Sequence, residues 1–133
     1  MFARNHPQPH DEPKASLDVL RALNVTRETV VAERVLWATG EARKHGLLGR
    51  DHMDPAEGMY IVPSQWIHMF GMRFPIDVAF LAEGGRVLAV HHSLQPNRLS
   101  RPVLRAEGAL ELAAGALRAS GTQVGDVIQL VDA

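Results

Sequence analysis

Short runs of alternating apolar and polar residues, broken by glycine and proline, set the rhythm of this chain. "TVVAERVLWA" (29–38) is β-branched and alternates well enough to predict a strand ending near Trp37. "MYIV" predicts a second strand, stopped by Pro63. "IDVAFL" from Ile76 is the strongest strand signal, and "AEGGRVLAV" continues it as a hairpin. Gly84 and Gly85 supply the positive φ angles of that turn. "GALELA" and "DVIQLV" predict two more strands, with "AGALRASGTQVG" between them fitting one helical turn and a glycine-bounded return.

Helical periodicity is sparse. Leu17, Leu20 and Leu23 recur at helical spacing after Ser16, which predicts a short N-capped helix there. In "TGEARKHGLLG", Thr39 as N-cap and Gly46 or Gly49 near the C-terminus bracket a second helix of two to three turns. About six to eight short strands without a βαβ rhythm predict a mainly β fold. The expected architecture is a small antiparallel β-barrel or sandwich with two or three short helices.

Residues 1–14, rich in proline and polar groups, are expected to be a disordered leader, and 15–133 a single β-rich domain. The 133 residues suffice for one core without disulfides. With no cysteine, thiol nucleophiles and zinc ribbons are excluded. The net charge of −1 offers no global attraction to nucleic acid or anionic membranes, so neither is expected as a partner. No long apolar run opens the chain, which makes a cytoplasmic location the default expectation.

"WIHMFGMRFPIDVAFL" (66–81) concentrates the chemistry. In an extended segment Trp66, His68 and Phe70 share one face, and Ile67 and Met69 the other. Gly71 and Pro75 make the centre a bend rather than a central strand. Asp77 can bond free backbone N–H groups there, or orient His68 as an acid–base group. Arg50, after a glycine-bounded helix end, can bond helical carbonyls, pair with an acid or hold an anionic ligand. Glu111 faces away from Leu110 and Leu112, either to solvent or as a buried partner for Arg50. His68 with Met59, Met69 and Met72 would be a soft-metal set, but strand geometry divides these ligands between faces. No metal and no cofactor are expected.

The ordered set "HGLLGRDHM", "GMYIVPSQWIHMFGMRFPIDVAFL", "GGRVLAV" and "ALELAAG…GD" resembles the family called domain of unknown function 192 (DUF192), over roughly residues 30 to 131. The resemblance rests on Gly46–Arg50, on Ile67, His68, Gly71–Arg73, Pro75–Asp77, and on Leu110, Glu111, Gly115, Gly125 and Asp126. It implies a small β-rich barrel or sandwich and no defined reaction or cofactor. Ser64 stands where the family often has cysteine, Met69 where threonine is usual and Ala113 where proline is usual.

These readings lead to a non-catalytic module that binds a small ligand or protein partner. Its pocket is expected around the His68–Asp77 bend, lined by Arg50, Met59, Trp66, His68, Phe70, Met72, Asp77 and Glu111. One alternative is a small enzyme with His68 as acid–base, Asp77 orienting it and Arg50 holding an anionic group. Another is a structural or assembly module. The expected state is a monomer or weak dimer.

Overall fold

The computed structural model describes residues 19–133, apart from the side chain of Lys44. Seven strands and two short helices follow one another: β1 (Leu20–Asn24), β2 (Thr29–Ala38), α1 (Gly40–His45), β3 (Glu57–Ile61), β4 (Ile76–Leu81), β5 (Val87–Leu94), β6 (Gly108–Ala113), α2 (Ala116–Ala119) and β7 (Ile128–Asp132). The strands form one curled half-barrel sheet in the order β5-β4-β6-β3-β2-β1-β7. The expected mainly β class and its short helices are present. None of the described helices is long and apolar enough to cross a membrane.

Two local expectations are corrected. Leu20 to Asn24 is a strand, paired antiparallel with both β2 and β7. Leu20 and Leu23 are both buried, but on a strand they point to opposite faces, so their spacing of three reflects two-sided burial and no helical stripe. Ser16, Leu17 and the 1–14 leader lie outside the described residues. The sheet is also not wholly antiparallel, because β2 runs parallel to β3 from Arg34–Glu57 to Ala38–Ile61. Parallel neighbours need a crossover, which α1 and the segment 46–56 supply. Thr39 does stand at the α1 N-cap, without a side-chain cap bond.

The central strands β3, β4 and β6 bury both faces, dividing the interior into two layers. Tyr60, Ala79, Leu81, Leu110 and Leu112 face the inside of the curl, with Leu20 and Leu130. Met59, Ile61, Val78, Phe80 and Ala109 face the opposite layer, which Leu47, Ile67, Met69 and Ala106 cover from the connecting segments. Each of these larger side chains contributes about 1.5–3 kcal/mol by leaving water.

Two polar devices hold the curl. Asp77, fully buried on β4, accepts the N–H of Ser93 at 2.9 Å and those of Gly115 and Leu117 at 3.0 Å each. It thereby caps the start of α2 from a distant strand, where Gly115 has no side chain for the task. At the other end Asn24 donates to Asp126 (3.0 Å) and Thr122 (3.1 Å), and Arg27 donates to Asp126 at 2.6 Å. Burial alone would raise the Asp126 carboxyl, but the bonds from Arg27, Asn24 and Gln123 outweigh it and hold the group below its usual value.

The two sheet edges meet there. Val87 donates to the Asp126 carbonyl and Ile128 to that of Gly85, both at 2.8 Å. Gly85 has φ +94°, and a Cβ there would fall on the Ile128 carbonyl, so only glycine admits this approach.

Candidate functional site

Residues 65–70 run beside 97–103 as a narrow antiparallel ribbon laid over the outer layer of the sheet. Met69 donates to Arg98 and accepts from Asn97, both at 2.8 Å, Ser100 donates to Ile67 at 2.9 Å, and Val103 donates to Gln65 at 2.7 Å. The Ser100 hydroxyl accepts the Ile67 N–H at 2.8 Å. The alternation read from sequence is present. Ile67 and Met69 point inward, while Trp66, His68 and Phe70 point outward, with Trp66 and Phe70 each 51% exposed. The His68 ring stacks on Phe70 at 5.3 Å and lies 6.2 Å from Trp66. Its Nδ1 accepts the Phe70 N–H at 3.3 Å, which puts the proton of the neutral ring on Nε2.

Between this ribbon, the α1 end and the sheet lies a cavity of about 350 Å³. Leu47, Leu48, Ile61, Ile67, Met69 and Met72 give it an apolar lining, and Arg43, His45, Ser64, Gln65, Trp66 and His68 its polar groups. One further wall residue comes from the sheet itself: Glu111, in the middle of β6, flanked by Met59 of β3 and Val78 of β4. Glu111 is 9% exposed, and its carboxyl makes no hydrogen bond or ion pair with any described residue. Burial pushes its pKa up to about 7. Near neutral pH the cavity therefore contains an acid divided between its protonated and ionised forms, with open bonding capacity.

Of the eight residues expected at the pocket, Trp66, His68, Met72 and Glu111 line it. Met59 packs in the core beside Glu111 and Phe70 lies outside, stacked on His68. Two pairings that the sequence left open, His68 with Asp77 and Arg50 with Glu111, are not formed. Asp77 pairs in register with Leu112 and so points into the inner layer, on the opposite side of the sheet from the His68 ribbon. Both its oxygens are taken by backbone N–H groups, and no hydrogen bond joins it to His68.

Arg50 bonds both oxygens of Glu57, at 2.8 and 2.9 Å, and not Glu111. That bond is the main reason the Glu57 carboxyl lies below its ordinary value. Glu57 is seven residues from Arg50 and reaches it because the crossover folds back onto β3.

Arg43, His45, Leu47, Leu48 and Gln65 are lining residues that sequence reasoning missed. The family-like "HGLLG" segment, 45–49, was the available signal, since it supplies three of them. Ser64, at the position of the family's frequent cysteine, is buried and donates to the Trp66 carbonyl at 2.9 Å. Among the described residues no three His, Asp or Glu side chains gather to hold a metal ion.

Comparison with solved structures finds this fold elsewhere. A protein of unknown function from Novosphingobium aromaticivorans DSM 12444 is 20% identical, covers 96% of this chain and 93% of its own, and superposes with a TM-score of 0.72. A candidate transcription regulator from Sinorhizobium meliloti 1021 is 24% identical over 85% of this chain and 92% of its own, with a TM-score of 0.71. At these identities the likeness concerns the fold alone. Among curated proteins, none matches. A family model described as "uncharacterized ACR" matches residues 22–130, nearly the whole of the described sheet with its ribbon and cavity, and the chain belongs to that family, DUF192.

Proposed function

We propose that this domain is a small-ligand-binding module whose site is the cavity between the 65–70 ribbon and β6. The observation that carries the reading is Glu111: a buried carboxyl without a partner among the described residues, in the wall of a cavity with apolar walls and a polar, exposed rim. A buried polar group ordinarily has a partner, and one left open toward a cavity is suited to a group brought by a ligand. The volume, about 350 Å³, is at the small end of ligand sites, appropriate to a compact organic molecule. Binding is favoured over acid–base catalysis because Asp77 is committed to Ser93, Gly115 and Leu117, which leaves His68 without that orienting carboxylate.

The test is a fragment screen followed by amide chemical-shift mapping on isotope-labelled protein. Shifts grouped on Leu48, Ile67, Met72 and Glu111 are expected for some fragments at millimolar concentration. Shifts grouped elsewhere, or none across a diverse library, would remove the proposal.

A further inference from the structure

Resting on that reading of the cavity, we infer that its ligand is a small primary amine or related organic cation, with its nitrogen on Glu111 and an apolar body against Leu48, Met69 and Met72.

The inference starts from what Glu111 lacks. It lies between Met59 and Val78 on the sheet, so neither lateral neighbour offers a donor. The nearest cationic side chain suggested by sequence, Arg50, is bound to Glu57. An ammonium supplies a charge-assisted bond that a neutral alcohol cannot match, and it favours the ionised carboxyl. An anion would meet the same carboxylate with repulsion, and a hydrocarbon would leave it desolvated and unbonded. The apolar lining suits the remainder of such a ligand, with thioethers that adapt to varied shapes.

The other titratable and charged groups facing this space are Arg43, His45 and His68. Arg43 and the two histidines are exposed, and Arg43 is already bonded through Nε to the Pro63 carbonyl at 2.6 Å. Water screens exposed charges far more than buried ones, so these groups oppose an internal cation only weakly. They are placed to meet an acceptor at the ligand's outer end.

Benzylamine, benzyl alcohol and benzoate separate the alternatives, titrated by chemical-shift mapping into the wild-type protein and Glu111→Gln. Benzylamine is expected to bind the wild type most tightly and to lose at least tenfold in affinity in the variant. Benzyl alcohol should change less than threefold. Wild-type affinity for benzylamine should also rise about tenfold from pH 6 to pH 8, as Glu111 ionises. Glu111→Gln should lose that rise.

Preference for benzyl alcohol or benzoate, or unchanged benzylamine binding in the variant, would overturn the amine assignment and leave the cavity reading in place. If none of the three perturbs the cavity amides while other fragments do, the amine assignment falls and the cavity reading stands; if no fragment of a diverse library does, both fall. The ranking of benzylamine, benzyl alcohol and benzoate is read on wild-type protein alone, so the inference stays testable should the variant fold poorly.

Discussion

Replacing Glu111 by glutamine keeps the shape of the side chain and removes its ability to ionise. In the folded protein the carboxyl titrates near pH 7, against an ordinary value of 4.5, because burial disfavours the charged form. The folded state therefore binds the proton more tightly than the unfolded chain does. This contribution to stability is fully present below about pH 4.5 and is lost as pH rises through about 7.

The rise from 4.5 to about 7 corresponds to about 3 kcal/mol, absent at alkaline pH and present in acid. Glutamine carries no such dependence. The variant is expected to match the wild type near pH 4.5 and to exceed it by about 3 kcal/mol near pH 8, a melting-temperature gain on the order of 10 °C.

Chemical denaturation of both proteins across this range is the assay, read as the difference between the two curves. Taking the difference matters, since Asp126 and Glu57 titrate in acid with the opposite sign and cancel between the proteins. Parallel curves would refute the reasoning, and would mean that water or a relaxed side chain already solvates Glu111. A gain in stability alongside lost amine binding is the signature expected of a functional group held at a cost to the fold.

The remaining predictions concern what positions the site. Asp77→Ala leaves three backbone N–H groups without their acceptor, one of them (Leu117) buried and two at the start of α2, and should destabilise the protein by about 3 kcal/mol in urea titrations. Asp77→Asn should rescue little, because its amide nitrogen would face another donor. Gly84→Ala and Gly85→Ala make a matched pair in thermal melts, as both positions have positive φ. The first has open space around it and should cost about 1 kcal/mol, whereas the second collides with the Ile128 carbonyl and should cost several times more.

Legibility differed by residue for physical reasons. The strand over 76–81 and its glycine hairpin were readable because they rest on local signals, β-branching and the positive φ of Gly84 and Gly85. The outward row of Trp66, His68 and Phe70 was readable because strand alternation is local too. The placement of Glu111 opposite Leu110 and Leu112 followed in the same way.

Partners were not readable. Asp77 finds Ser93, Gly115 and Leu117, up to forty residues away, through the sheet's strand order, which no window of sequence contains. Arg50 chose Glu57 because a parallel crossover brought β3 beside it, and that crossover was hidden by the short α1. β1 was misassigned because two-sided burial erases the alternation that marks a strand.

The meeting of Gly85 with Ile128 has a consequence for the protein's behaviour among copies of itself. Strands β5 and β7 are the lateral edges of the sheet, and an open edge is a template for intermolecular pairing and fibre growth. At one end each edge occupies the other, through Val87, Asp126 and Ile128. At the far end of β5, Ser93 at φ +51° and an irregular register opposite Ile76 and Val78 bend the ladder out of plane. One glycine thus contributes to colloidal stability as well as to shape, and a chain that loses it exposes two growth edges at once.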